Sequence, residues 1–129
     1  MFFNIDPSNG LAIYEQVVRQ VVFAVAAGAL KSGDLVPSVR ELARELAINP
    51  NTVARAYRQL QDDGVLQSVR GTGLAVADGA SGRCEEQRLA LLRNRVQQVL
   101  IEAQQSRLDI AQLRSLVESE LAAIDGKEV

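Results

Sequence analysis

The chain has 129 residues, of which 47% are hydrophobic and 23% charged, a composition typical of a folded domain and not of a disordered segment. It has a single cysteine and no histidine, which excludes an internal disulfide and makes a zinc site implausible. The formal net charge is −2, and only residues 31–83, with seven bases and six acids, are not acidic overall. Few aromatic residues and many aliphatic ones favour a core of packed helices.

The N-terminus predicts neither secretion nor membrane insertion. It lacks the basic start and continuous apolar run of a signal peptide, and Asp6 and Pro7 interrupt it early. The apolar run 17–30 contains Arg19 and Gln20 and is too short to span a bilayer. We therefore expect a cytoplasmic protein that contacts no membrane.

The first predicted helix follows a short extended segment at residues 2–6 and a turn at residues 7–10. Apolar residues then recur at intervals of three and four, which is the helical period: Tyr14, Val17, Val18, Val21, Val22 and Val25. The many valines favour a strand by propensity, but strict alternation would place Arg19 on the same face as Val17 and Val21. The spacing therefore predicts a helix, which Gly28 ends.

Two short helices separated by a capped turn come next. Ser38 and Glu41 form a capping-box pattern directly after Pro37, and Asn49-Pro50 gives the second helix an N-cap and a first-turn proline. The apolar residues of both helices are expected to be buried: Val39, Leu42, Ala43, Leu46, Ile48, Val53, Ala56, Tyr57 and Leu60. Asn51, Arg55 and Arg58 share a different face of the second helix.

A small hairpin and a long helical tail complete the chain. Residues 65–69 and 74–77 predict two short strands joined at residues 70–73, and residues 79–83 predict a linker between a domain at 1–78 and a tail at 84–129. The fold class expected is thus mainly α with a small β-hairpin wing, followed by two tail helices.

The tail predicts self-association. Its apolar residues follow a coiled-coil-like spacing, and Asp109 with Gln112 marks a second capping box. The residues expected to mediate dimerisation are Leu89, Leu92, Val96, Val99, Leu113, Val117 and Leu121. The alternative is packing within one chain, between the two tail helices or against the first helix.

The helix pair carries the main functional signal, because the second helix of a helix-turn-helix presents its first turns to bases in the major groove. Asn49 is better explained as a cap, whereas Asn51 is not needed for capping and is favoured as a nucleic-acid contact. Arg55 can contact phosphate or guanine or remain a solvated charge, and for Arg58 solvation is the better explanation. The hairpin tip combines glycines with an arginine suited to a minor groove. The candidate DNA-binding residues are Ser38, Arg40, Asn49, Pro50, Asn51, Thr52, Arg55, Arg58, Arg70, Gly71, Thr72 and Gly73.

The run PSVRELARELAINPNTVARAYRQLQDDGVLQSVRGTG, with IYEQV and GALKSGDLVPS upstream, resembles the N-terminal winged helix-turn-helix of GntR-family bacterial transcription regulators. The resemblance implies that six residues match positions that tend to contact operator DNA: Arg40, Asn51, Thr52, Arg55, Arg70 and Gly71. Residues after Gly82 resemble the two-helix tail of the YtrA-like subfamily, which serves dimerisation. Leu74, often aromatic in the family, and Ala12, usually proline, depart from its pattern.

These observations predict a homodimeric transcriptional regulator, a repressor, that binds a two-fold-related operator in double-stranded DNA. A winged-helix adaptor that docks a protein partner remains the alternative, motivated by the acidic net charge. An enzyme is disfavoured because no convergent catalytic groups are visible. No cofactor or metal is expected, and no residue pattern identifies a small-molecule effector.

Overall fold

A computed structural model describes residues 5–8 and 10–127, the last of these without its side chain. Within these residues the helices and strands are, in order, α1 (Ile13–Ala26), α2 (Val39–Leu46), α3 (Pro50–Asp62), β1 (Leu66–Val69), β2 (Gly73–Val76), α4 (Ala80–Gln105) and α5 (Ile110–Lys127). The chain divides into two compact units, Met1–Leu91 and Leu92–Val129, each described below by itself. The predicted class, mainly α with a β-hairpin, is confirmed. Residues 2–4 of the predicted extended segment lie outside the described part.

Helix α1 packs against α3 in the core of the first unit. Val17, Val21 and Val22 are fully buried on one face, as their helical spacing predicts. Ala12 at the N-cap provides no side-chain cap. The buried Gln16 side chain instead accepts the Asp6 N–H at 2.8 Å and donates to the Asp6 carbonyl at 2.8 Å, so that the preceding segment is held against the helix.

Helices α2 and α3 are joined by a tight turn in which Ala47 adopts a left-handed conformation, with φ of 55°. The predicted capping box is confirmed: Ser38 Oγ accepts the Glu41 N–H and Glu41 Oε1 accepts the Ser38 N–H. Tyr57 reaches from the middle of α3 to donate a 2.7 Å hydrogen bond to the Pro37 carbonyl. This bond fixes α3 relative to the loop that precedes α2.

The hairpin is antiparallel, with Leu66 paired to Val76 and Val69 to Gly73. The loop before α2 joins the hairpin through an isolated β-bridge between Leu35 and Ala75, and the Val36 N–H donates to the Leu74 carbonyl at 3.0 Å. The sequence did not predict this bridge because a single pairing residue leaves no alternating pattern. The pairing attaches the hairpin to the rest of the unit.

The segment predicted as a linker, residues 79–83, is mostly helical, because α4 begins at Ala80. Burial explains the difference: Ala80 and Cys84 are fully buried in the core. Arg83 also donates to the Gly64 carbonyl at 2.6 Å and to the Asp78 carbonyl at 3.2 Å. These contacts outweigh the low helix propensity of the small polar residues. The functional boundary between head and tail stays a prediction.

The Cys84 thiol is buried, as expected for a structural cysteine. Burial raises its pKa above the ordinary value, and the neighbouring positive charge of Arg83 offsets this only in part. A thiol with a raised pKa is a poor nucleophile. Cys84 is therefore a packing residue in the first unit.

The second unit has an unusual distribution of apolar side chains. It contains the end of α4 and all of α5, and the predicted second capping box is confirmed by mutual hydrogen bonds between Asp109 and Gln112 at 2.8 and 3.2 Å. No residue from 92 to 126 is buried within the chain. Its exposed large hydrophobic residues are Leu92, Val96, Val99, Leu100, Ile101, Ile110, Leu116, Val117, Leu121 and Ile124. No helix in the described part of the chain is long and apolar enough to cross a membrane.

Candidate nucleic-acid interface

The N-terminus of α3 exposes the polar residues that the sequence singled out. Asn49 is its N-cap: the side-chain oxygen accepts the Asn51 N–H at 2.8 Å, and Pro50 occupies the first turn. The side-chain oxygen of Asn49 therefore caps the helix, as predicted. The amide N–H donors of the same side chain take no part in this capping bond. The Asn51 side chain is exposed at the first turn, where it can meet a base edge.

Four predicted site residues lie together at this helix end, and we call them the α3 patch: Asn49, Asn51, Thr52 and Arg55. They line one shallow depression of about 430 Å³, together with Ile13 and Tyr14 from the start of α1. Thr52 is half-buried, whereas Asn51 and Arg55 are exposed. Arg58 is exposed one turn farther along α3 and does not line the depression.

Arg55 is held in an interaction that the sequence did not predict. Its guanidinium carbon lies 3.7 Å from the centroid of the Tyr14 ring, which is a close cation–π contact. Tyr14 was predicted only as a core residue of the first helix. Periodicity cannot reveal that it also supports Arg55, because the contact joins two helices distant in sequence.

The N-terminus of α2 contributes a second group of predicted residues. Arg40 is exposed in the first turn of α2. Hydrogen bonds from the backbone N–H and hydroxyl of Ser38 lower the pKa of Glu41 below its ordinary value of 4.5. Glu41 is therefore an anion at neutral pH, favourably placed at a helix N-terminus.

Ser38→Ala is expected to lower the free energy of unfolding by about 1 kcal/mol, because the Glu41 N–H loses its acceptor. Ser38→Thr, which keeps a capping hydroxyl, serves as the matched control. Because the folded pKa of Glu41 is lowered, the stabilisation by its carboxylate is present above pH 4.5 and is lost as the pH falls through the folded value. Denaturant unfolding at neutral pH and below pH 4.5 measures both effects, and equal stability of the Ala and Thr variants would contradict the role of the cap.

The hairpin tip forms the wing and exposes Arg70. Thr72 closes the turn, with its N–H and hydroxyl both donating to the Val69 carbonyl at 3.0 and 3.2 Å. Gly71 and Gly73 have φ of 81° and 115°, conformations that L side chains rarely adopt. Both glycines are thus required by the turn itself, while the turn gives no structural reason for the exposed arginine. Leu74, which replaces a frequent aromatic residue, is half-buried and packs against the core.

The structure brings the wing close to the start of α2. Ser38 and Glu41 line one depression with Thr72, Gly73 and Leu74 from the wing. Arg40 and Arg70 line neither this depression nor that of the α3 patch. Among the described residues, no group of potential metal ligands is found.

The arrangement of the first unit defines a class of protein. A helix pair joined by a tight turn, followed by a hairpin that pairs with the loop before the first helix of the pair, is a winged helix-turn-helix, and the chain is a transcriptional regulator of that class. Residues 13–76 match the family described as bacterial regulatory proteins, gntR family. The chain belongs to the GntR family, and its full-length similarity is to the YtrA type.

Three relatives illustrate this membership. The chain is 32% identical over 122 residues to the HTH-type transcriptional repressor YtrA of Bacillus subtilis, covering 95% of this chain and 94% of YtrA. A GntR family transcriptional regulator from Listeria monocytogenes is structurally similar, with a TM-score of 0.66, 29% identity and coverage of 89% of this chain and 98% of that one. The AraR DNA-binding domain in complex with an operator matches 60% of this chain and 93% of that one, at 26% identity and a TM-score of 0.50.

Proposed function

We propose that this protein is a transcriptional repressor that binds double-stranded operator DNA as a homodimer in the cytoplasm. The α3 patch would enter the major groove, Arg40 would contact a backbone phosphate, and Arg70 with Gly71 would reach the adjacent minor groove. The observation that carries the proposal is the α3 patch, where exposed Asn51 and Arg55 stand at the start of a capped helix. The repressor role is supported by the full-length similarity to YtrA.

Dimerisation is supported by the second unit. Residues 92–126 bury no side chain within the chain, although they include many large apolar ones. A groove of about 590 Å³ between the end of α4 and α5 is lined by Leu100, Leu108, Ile110, Leu113 and Val117, among others. An exposed apolar surface of this kind is typical of a protein interface. We propose that a second copy of the chain covers it, and that two α3 patches thereby face two related half-sites.

The DNA contacts can be tested on an operator recovered by selecting bound fragments from genomic DNA. Arg55→Ala and Arg70→Ala are each expected to weaken binding by roughly 10- to 100-fold, because each removes a charged contact to a base or phosphate. Mobility-shift titrations at several salt concentrations measure the affinity. They also measure the number of phosphate contacts through the slope of affinity against salt.

Arg93→Ala, which removes the same charge from an exposed position in the tail, is the matched control and should bind like the wild type. Light scattering should show that all variants keep the wild-type oligomeric state. If Arg55→Ala and Arg70→Ala both bind the operator with wild-type affinity, the assigned contacts are wrong. If the wild type is retained on no DNA and co-purifies with a protein partner, the adaptor function replaces the proposed one.

A further inference from the structure

We infer that Tyr14 is a positioning residue for DNA recognition, acting by holding the Arg55 guanidinium in place. The inference rests on the proposed function, because it assigns to Tyr14 a role in the same binding site. Neither the helical spacing of α1 nor the helix-turn-helix pattern assigns Tyr14 anything beyond packing. The structure places its ring against the one arginine of the α3 patch.

The distance between the two groups is short enough for the guanidinium to stack on the ring. The guanidinium carbon is 3.7 Å from the ring centroid, close to the van der Waals contact distance of two flat groups. Tyr14 is half-buried at the second residue of α1 and packs against the core, so the ring is a fixed surface. Arg55 itself is exposed, so its guanidinium remains accessible to a ligand.

Stacking leaves the chemistry of the arginine available. The five N–H donors of a guanidinium lie in its plane, so a ring on one face covers none of them. An exposed arginine would otherwise lose rotamer freedom when it binds DNA, which opposes association. Tyr14 restricts the Arg55 side chain in the free protein. Less rotamer entropy is therefore lost when the arginine binds DNA.

A second arginine–aromatic pair, formed within α1, provides an internal comparison. The Arg19 guanidinium carbon lies 5.2 Å from the Phe23 ring centroid, and both residues belong to α1. Phe23, like Tyr14, is half-buried and packs against the core. Phe23→Leu therefore removes an aromatic ring of similar burial without touching the α3 patch.

The experiment combines substitutions of the full chain with DNA binding and with proton chemical shifts. Tyr14→Leu is expected to weaken operator binding by roughly 2- to 10-fold, the range for ordering one flexible side chain, while Tyr14→Phe and Phe23→Leu bind like the wild type. In an Arg55→Ala background, Tyr14→Leu should cause no further loss. In the free protein, the Arg55 side-chain protons should show an upfield ring-current shift that Tyr14→Phe keeps and Tyr14→Leu abolishes. Thermal unfolding identifies the temperature range over which every variant is folded.

Each alternative result overturns the inference. Wild-type affinity of Tyr14→Leu would show that the stack does not assist binding. An equal loss in the Arg55→Ala background would show that Tyr14 acts independently of Arg55, and an equal loss in Tyr14→Phe would assign the effect to the hydroxyl. If the wild-type protein binds no DNA, both the proposed function and the inference are wrong. If the wild-type protein binds DNA and Tyr14→Leu binds it with the same affinity, the inference about Tyr14 is wrong while the proposed function stands.

Discussion

Replacing Val96 and Val117 together with aspartate is expected to convert the proposed dimer into monomers and to weaken operator binding by roughly 100- to 10,000-fold. Both side chains are exposed within one chain, at 56% and 45%. In a dimer they would be covered, and a buried carboxylate without a partner carries a large desolvation cost. A monomer can occupy only one half-site at a time, so the gain from binding two linked half-sites disappears.

Light scattering and mobility shift on the full chain measure the two effects. The control is Gln98→Asp, an exposed position about 200° around α4 from Val96, where the same charge should remain in solvent. If the double variant is still a dimer, the dimer interface lies elsewhere. A double variant that is monomeric but binds the full operator with wild-type affinity would show that DNA recognition does not require two linked copies.

Leu60→Ala is expected to lower the free energy of unfolding by about 2–5 kcal/mol, the second large effect. Leu60 is fully buried in the last turns of α3, and removing three carbon atoms leaves a cavity between α3 and the core. A loss of this size is a large share of the stability of a small domain. Differential scanning calorimetry should show a melting temperature lower by about 10 °C or more.

Gln61→Ala, on the exposed side of the same helix, provides the comparison and should change stability by less than about 1 kcal/mol. At temperatures where both variants are folded, neither should alter operator affinity, since the α3 patch is untouched. A Leu60→Ala protein as stable as the wild type would mean that the site collapses around the cavity. A Leu60→Ala protein that is folded but binds operator weakly would mean that core packing under α3 also sets the geometry of the patch.

Features that depend on neighbours along the chain could be predicted from the amino-acid sequence. Both capping boxes form as predicted, because Ser38 with Glu41 and Asp109 with Gln112 need only the geometry of one helical turn. The Asn49 cap, the buried valines of α1 and the turn at Gly71 and Gly73 have the same local origin. These local signals sufficed to predict the fold class and the α3 patch.

Features that join residues far apart in the sequence could not be predicted and became evident in the folded chain. Residues 80–83 are helical because Ala80 and Cys84 find a core to pack in, which local propensity does not encode. Leu35 forms a strand pairing only because Ala75 lies beside it. Tyr14 and Arg55 belong to different helices, α1 and α3, and no periodic pattern in the sequence links them. Local hydrogen bonds can be predicted because their partners lie a few residues apart in the sequence. Packing contacts cannot, because they depend on which surfaces the completed fold brings together.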